Sequence, residues 1–248
     1  MARFILVHGA WHGGWCWEEI VPRLEAAGHE ALAPDLPGMG ADADSGHVAS
    51  LEEWAMFIAG AAAAGGGAGR QPAILVGHSR GGMVISRAAQ LAPVGSVAHL
   101  AYLAAAMPRP GQTMSELFDA AALSRMVDMT GAIARSADGR QLIFHDAATA
   151  LRAFYGLCPA GKGEAAFARL TPEPAGIRTA RVELDAARYG QVARSYIRCE
   201  RDMAVVPELQ NRMIAAQPCP VFSIDTDHSP FYSAPDALAQ ILCDIAGS

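Results

Sequence analysis

Six short apolar stretches alternate along the chain with stretches whose apolar residues recur at helical spacing. Each of the six is largely apolar on both sides of its alternation and is bounded by Gly, Pro, Asp or His, which is typical of a strand buried on both faces. The predicted strands are Arg3–Val7, Ala31–Pro34, Ala73–Val76, Val97–Leu103, Ser195–Cys199 and Val221–Ile224. Because helical stretches separate many of them, the pattern predicts an α/β fold with a parallel sheet covered by helices.

The helical stretches carry recognisable end signals. Leu51–Ala64 follows Ser50 and has Glu52 and Glu53 in its first turn, where the helix dipole favours negative charge. The other helices predicted outside residues 108–190 are Trp17–Ala27, Met83–Leu91, Pro207–Ala216 and Ala234–Ile245. The glycine-rich stretch Gly65–Gly69 predicts a flexible surface loop.

The strand–helix alternation stops between about Pro108 and Gly190. We interpret residues 108–190 as a mainly helical cap inserted after the fourth strand, and residues 1–107 and 191–248 as the core. Open α/β sheets bind ligands at the carboxyl ends of their strands, so a cap over that edge would shape a pocket. The predicted cap elements are helices at Ser115–Met129, Ala147–Tyr155 and Gly163–Leu170 and a small hairpin whose turn, Ala137–Arg140, leads into Gln141–Phe144.

Composition narrows the class of protein and its partners. The 248 residues are 52% hydrophobic and carry a formal net charge of −6, so we expect a globular chain that does not bind nucleic acid. The sequence has no apolar run long enough to span a bilayer and no secretory signal pattern, so we expect no membrane partner and a cytoplasmic location. Scattered cysteines without a C-x-x-C pattern favour free thiols: Cys16, Cys158, Cys199, Cys219 and Cys243.

The stretch V-G-H-S-R-G-G, Val76 to Gly82, follows a predicted strand and precedes a predicted helix. This placement of G-x-S-x-G predicts a nucleophile elbow, a tight turn that lifts the Ser79 hydroxyl above the sheet. Gly77 and Gly81 supply the room that the strand and helix need to pass closely. A phosphate-binding loop is excluded because no Lys follows the glycines.

An activated serine needs a base, and the base needs an orienting acid, in the chain order Ser, acid, His. His228 lies just after the last predicted strand and is the candidate base. The strand before it ends near Glu200 and Asp202, and we favour Asp202 because it lies further into the loop. Asp225 and Asp227 are rival acids close to His228 in sequence.

The loop after the first strand is the expected source of an oxyanion donor. The backbone amide of Ala10, after Gly9, is one predicted donor, and the amide of Arg80 is the other. His8 and His12 have a spacing that zinc ligands can adopt on a helix, but they lie in a glycine-rich loop with no third ligand nearby. We expect them to support the loop by hydrogen bonds, and we expect no metal and no cofactor.

Four segments together resemble the α/β-hydrolase superfamily: H-G-A-W-H-G-G-W-C-W, V-G-H-S-R-G-G-M, Y-I-R-C-E-R-D and D-H-S-P-F. They are similar to the branch of plant methylesterases, hydroxynitrile lyases and bacterial esterase relatives. The resemblance implies a six-stranded parallel sheet, a triad of Ser79, Asp202 and His228, and an oxyanion hole from the Ala10 and Arg80 amides. The lyases carry a lysine after the catalytic histidine, where this chain has Ser229.

We expect a serine carboxylesterase that hydrolyses small hydrophobic carboxylic esters, with an aryl or bulky alcohol group, through an acyl-enzyme. By the resemblance, dimers would suit the family. The alternatives are lyase or other acyl-transfer chemistry on the same triad, and a small-molecule receptor with minor turnover. Apolar residues near the expected pocket are candidates for its wall: Trp11, Phe118, Met126, Met129, Phe154, Tyr155 and Phe231.

Overall fold

The computed structural model describes residues 1–64, 71–118 and 126–247 and is built on a central parallel sheet. Its strands are β1 (Arg3–Val7), β2 (Glu30–Leu32), β3 (Ala73–His78), β4 (Val97–Leu103), β8 (Ala193–Cys199) and β9 (Val221–Ile224). They lie side by side in the order β2-β1-β3-β4-β8-β9. The six-stranded parallel sheet predicted from the apolar runs is therefore confirmed, although the second strand begins one residue and ends two residues earlier than predicted.

Alternating residues of the central strands enter two different hydrophobic cores. Ile5 and Leu75 belong to one core, and Phe4 and Ile74 belong to the other. Every residue of β1 and β3 is buried. A strand covered on both faces must be apolar at odd and even positions, which is the pattern that made these strands predictable.

Helices cover both faces of the sheet. Outside the segment between β4 and β8 they are α1 (Val21–Ala26), α2 (Leu51–Ala64), α3 (Gly81–Leu91), α7 (Pro207–Ala216), α8 (Pro230–Ser233) and α9 (Pro235–Gly247). The prediction of one helix over Trp17–Ala27 is wrong, because a 3₁₀ turn at Gly14–Trp17 precedes α1. Pro22 lies in the first turn of α1, where its missing N–H costs no helical hydrogen bond.

The segment between β4 and β8 forms a cap over the carboxyl ends of the strands. It contains α4 (Met114–Leu117), α5 (Ala147–Phe154), α6 (Lys162–Phe167) and a small antiparallel sheet of β5 (Ile133–Arg135), β6 (Gln141–Phe144) and β7 (Glu173–Pro174). The predicted hairpin before Gln141 is confirmed by the pairing of β5 with β6. Many hydrogen bonds attach the cap to the core, among them those from Trp11 Nε1 to Leu142 O (3.1 Å) and from Leu157 N to Asp227 Oδ2 (2.7 Å).

The predicted helix Ser115–Met129 is wrong where the structure describes it. The helix ends at Leu117, and residues 126–129 are irregular. Val127 N donates to Met203 O (2.9 Å), so a contact with a distant segment takes the place of a helical hydrogen bond. Residues 119–125 and the predicted loop Gly65–Gly69 lie outside the described residues. No helix among the described ranges combines the length and apolar character needed to cross a membrane.

Candidate active site

The strained turn at Ser79 joins β3 to α3. Ser79 has φ +53°, a left-handed backbone conformation that residues other than glycine rarely adopt. Its backbone is held by hydrogen bonds from Ser79 N to Leu103 O (3.1 Å) and from Ala106 N to Ser79 O (2.9 Å). The Ser79 side chain is half-buried and faces a cavity under the cap. The turn therefore has the geometry of a nucleophile elbow.

Glycines are required where the elbow packs against itself and against β1. A Cβ at Gly77 would lie 2.8 Å from the carbonyl carbon and oxygen of Gly81. A Cβ at Gly81 would lie 2.7 Å from Val7 O, and one at Gly82 would lie 2.0 Å from Ala106 O. These distances are too short for a side chain because backbone atoms cannot move aside, so glycine is required at all three positions of the turn.

Asp202 and His228 meet in the loops that follow β8 and β9. His228 Nδ1 lies 2.7 Å from Asp202 Oδ2, and both residues are almost completely buried. Asp202 Oδ1 accepts hydrogen bonds from the amides of Ala204 (2.7 Å) and Val205 (2.8 Å), which fix the carboxylate. An ionised carboxylate only accepts hydrogen bonds, so Nδ1 carries a proton and Nε2 of the neutral ring has a free lone pair.

The rival acids are engaged elsewhere. Glu200 is exposed and lies 3.3 Å from the Arg198 guanidinium, and Asp225 pairs with Arg201 at 2.7 Å on the surface. Asp227 accepts from Leu157 N, Ser229 N and the Ser233 hydroxyl and so ties the loop to the cap. Of the four acids considered from the sequence, the structure brings Asp202 to the imidazole.

His78, which precedes Ser79, links the serine turn to the His228 loop. Its Nε2 lies 2.8 Å from the backbone carbonyl of His228, and the two rings are 4.6 Å apart between centroids. Because a carbonyl only accepts, His78 Nε2 is protonated and donates. Burial lowers the pKa of His78 well below its usual value, with the His228 charge adding to that effect. The Ser79 hydroxyl itself makes no hydrogen bond to any residue within 1–64, 71–118 and 126–247.

The amides of Ala10 and Arg80 lie beside the Ser79 turn. Within the described part of the chain neither amide donates a hydrogen bond. The loop that carries Ala10 comes so close that a Cβ at Gly9 would be 3.0 Å from Ser79 Cβ. Two unengaged donors beside a nucleophile can stabilise the negative oxygen of a tetrahedral intermediate.

His8 and His12 both hold the loop after β1. His12 Nδ1 lies 2.7 Å from Ala10 O, and its Nε2 lies 2.7 Å from the Tyr155 hydroxyl. Burial lowers the pKa of His12 to about 4 and lowers that of His8 well below its usual value, so both rings are neutral near pH 7. Across the described ranges no group of three His, Cys, Asp or Glu residues could hold a metal ion together.

A cavity of about 520 Å³ opens between the elbow and the cap. Five of the seven residues predicted for its wall line it: Trp11, Phe118, Met126, Met129 and Phe154. The expectation for Tyr155 and Phe231 is corrected, because neither lines the cavity. Tyr155 is turned toward His12, and Phe231 is fully buried against His78 and Trp17. Both aromatic residues support the site from behind.

The sequence did not single out Glu173, which lines the same cavity from β7 of the cap. Its Oε2 lies 3.2 Å from Nε of Arg80, and both side chains are buried. Burial raises the pKa of Glu173, and the charges of Arg80 and Arg178 oppose that shift. An acid partner for Arg80 behind the elbow was foreseeable, but its identity was not, since it comes from a distant part of the chain.

Comparison with known proteins places the chain in a family. A family model described as the alpha/beta hydrolase family matches residues 4–241, and the chain belongs to that family. It is 31% identical over 255 residues to Methylesterase 7 of Arabidopsis thaliana, covering 98% of this chain and 96% of that protein. It is 32% identical over 259 residues to Esterase PIR7B of Oryza sativa subsp. japonica, covering 98% and 95%.

Among solved structures, the fold is similar to a pyrethroid hydrolase from Sphingobium faniae JZ-2. The TM-score is 0.86 and the identity 28%, over 100% of this chain and 98% of that chain. With the family and these esterase relatives established, the chain is a carboxylic ester hydrolase.

Proposed function

We propose that the protein hydrolyses small hydrophobic carboxylic esters through a triad of Ser79, His228 and Asp202. The observation that carries this proposal is the buried contact of His228 Nδ1 with Asp202 Oδ2 (2.7 Å), at the same sheet edge as the strained Ser79. A carboxylate in that position holds the imidazole with Nε2 unprotonated, and it stabilises the cation that forms when Nε2 takes a proton.

In the proposed mechanism, Ser79 Oγ attacks the ester carbonyl while its proton passes to His228 Nε2. The resulting oxyanion accepts hydrogen bonds from the amides of Ala10 and Arg80. His228 then donates the proton to the leaving alcohol, which leaves an acyl group on Ser79. Water, deprotonated by His228, attacks that acyl group and releases the acid. The hydrogen bond between Ser79 and His228 forms with substrate in place, since catalytic contacts often tighten only in the complex.

The cavity supports a hydrophobic substrate. Its volume of about 520 Å³ suits a small molecule, and its wall is rich in methionine and aromatic side chains. Met114, Met126 and Met129 have flexible thioether side chains, which adapt to substrates of different shape. The named activities of two relatives, a methylesterase and a pyrethroid hydrolase, support carboxylic esters as the class.

The residue after His228 favours hydrolysis over lyase chemistry. Ser229 is fully buried and its hydroxyl has no hydrogen-bond partner among the described residues. A neutral buried hydroxyl cannot supply the positive charge that the lysine of the resembling lyases brings beside the histidine. We therefore assign Ser79 and His228 to acyl transfer to water.

A panel of aryl and alkyl esters, varied in acyl and alcohol size, tests the proposal with Ser79→Ala. We expect this substitution to lower kcat/KM by at least about 10⁴-fold for every ester that the wild type hydrolyses. The matched control is Ser195→Ala, because Ser195 is a buried serine whose hydroxyl meets His99 Nε2 (2.9 Å) on the sheet. Tight ligand binding with negligible wild-type turnover would instead favour the receptor reading, and cyanide release from cyanohydrins would favour the lyase reading.

A further inference from the structure

We propose that the side chain of Arg80 is a positioning residue for the oxyanion hole, in addition to the amide that Arg80 itself contributes. This inference rests on the proposed esterase function. Arg80 Nη2 donates to the carbonyl oxygen of Gly9 at 2.7 Å. That carbonyl belongs to the same peptide unit as the Ala10 N–H, the second proposed oxyanion donor.

The planarity of the peptide bond transmits the contact. The peptide bond between Gly9 and Ala10 is trans, so the Gly9 C=O and the Ala10 N–H point in opposite directions within one plane. A donor that fixes the direction of the carbonyl therefore fixes the direction of the amide. His8 Nδ1 lies 3.0 Å from the same oxygen, and since its Nε2 accepts from Leu36 N (3.1 Å), its Nδ1 carries the proton.

The guanidinium of Arg80 is itself held from two sides. Glu173 of the cap lies 3.2 Å from Arg80 Nε, and the ring of Trp54 on α2 lies 4.2 Å from Arg80 Cζ. All three side chains are buried. The fork-shaped guanidinium can face the carboxylate, the indole ring and the Gly9 carbonyl at once. The cap thus reaches the Gly9 carbonyl, and with it one proposed oxyanion donor, through Glu173 and Arg80.

A stability role alone accounts poorly for this arrangement. Burying an Arg–Glu pair removes both charges from water, and the attraction between them often fails to repay that cost. An apolar pair of similar size would fill the space equally well. What the ion pair provides is a fixed direction for one peptide plane, next to the atom where negative charge develops.

Arg80→Met tests this role because it keeps most of the volume and the backbone amide but removes the hydrogen bond to Gly9. We expect kcat to fall about 10- to 100-fold, less than the 10²- to 10³-fold typical when an oxyanion donor is lost outright. KM should stay within about twofold, because the Ala10 amide acts on the transition state rather than on the bound ester. An aryl boronic acid, which forms an anionic tetrahedral adduct with a serine, should bind more weakly in proportion to kcat/KM.

Arg3→Met is the matched control. Arg3 is also buried, pairs with Glu30 and donates to the carbonyls of Ala61 and Ala62, but it lies at the opposite end of β1 from the site. Both variants should unfold at lower temperature, and only Arg80→Met should lose kcat and boronate affinity. If Arg80→Met does not fold, Arg80→Lys replaces it, with kcat expected to fall at least about fivefold because a lysine lacks the fork.

The outcomes separate the two proposals. Wild-type kcat and boronate affinity in a folded Arg80 variant, in an enzyme whose Ser79→Ala form is inactive, overturn the positioning role and leave the esterase mechanism standing. Equal losses of kcat in Arg80→Met and Arg3→Met also overturn it, since they mean general destabilisation. An absence of Ser79-dependent turnover in the wild type overturns the esterase mechanism and this inference with it.

Discussion

Asp202 and His228 meet at 2.7 Å although they lie on loops that follow different strands. Two backbone hydrogen bonds hold those loops together, from Glu200 N to Ile224 O and from Arg201 N to Thr226 O, both 2.9 Å. The pairing of β8 with β9 continues past the strand ends through these contacts, which brings the carboxylate and the imidazole to the same edge of the sheet.

Asp202→Asn should lower kcat by about 10⁴-fold with little loss of structure. An asparagine amide can donate to Nδ1, which favours the tautomer with the proton on Nε2 and leaves no lone pair to receive the Ser79 proton. Initial rates on an aryl ester, beside a circular dichroism spectrum, measure the effect.

Asp225→Asn is the control for that substitution. Asp225 is exposed and pairs with Arg201 on the surface, so its loss should change kcat by less than about twofold. A larger loss of kcat in Asp225→Asn than in Asp202→Asn would show that Asp202 is not the acid of the triad.

His12 makes the folded protein less stable in acid. Its pKa is about 4 in the folded state because burial disfavours the charged ring, against 6.5 for an ordinary histidine. Between these values the unfolded chain binds a proton that the folded chain does not, so stability is full above pH 6.5 and falls as the pH drops toward 4. The contribution of His12 to this fall is about 3 kcal/mol.

Urea unfolding of the wild type and of His12→Asn between pH 7 and pH 4 measures that contribution. His12→Asn should be less stable at pH 7, because it loses the contacts to Ala10 and Tyr155, but its stability should depend less steeply on pH. Parallel curves for the two proteins would show that His12 does not carry this pH dependence.

Gly82→Ala should destabilise the protein by more than about 3 kcal/mol, the upper end of ordinary overpacking costs, because the new Cβ would lie 2.0 Å from Ala106 O. Gly60→Ala, in the exposed face of α2 with no atom near its Cβ position, should stabilise it by about 0.5–1 kcal/mol. Chemical denaturation of both variants tests the close packing of the elbow. A gain in stability for Gly82→Ala would contradict the geometry described for this turn.

Met129→Trp should reduce the cavity and select against large substrates. We expect kcat/KM for a bulky aryl ester to fall at least about tenfold, since one or two displaced methylenes are worth that much in a hydrophobic pocket. The rate for a small acetate ester should change little. Met56→Trp is the matched control, because Met56 is exposed on α2 and away from the cavity. Equal effects on large and small esters would show that Met129 does not bound the substrate.

The centre of the sheet was predictable because β1 and β3 are buried on both faces, so apolar runs mark them without reference to the rest of the chain. The cap was less predictable. Phe118, Met126 and Met129 line a cavity, and the irregular backbone of Val127 is held by a hydrogen bond to Met203. Apolar residues at helical spacing can belong to a helix or line a cavity. The sequence does not distinguish the two when the backbone is held by a residue as distant as Met203.

The site shows the same division. Ser79 and its glycines form one local motif, and the order of strands placed Asp202 and His228 near it. Glu173 was not identified because its contact with Arg80 depends on how the cap packs on the core. Tyr155 and Phe231 were assigned to the wrong side of the cavity wall for the same reason, since an aromatic residue near a pocket can line it or support it from behind.

Labelling with a fluorophosphonate tests the triad most directly, because Ser79 Oγ must attack phosphorus and expel fluoride with the help of His228. Mass spectrometry of the digested protein should show one adduct, on the peptide that contains Ser79. His228→Ala should slow labelling at least about 10³-fold, as expected when the general base is removed. His145 is exposed, and the His145→Ala variant should be labelled at the wild-type rate. An adduct on another residue, or equal labelling rates in His228→Ala and the wild type, would contradict the proposed mechanism.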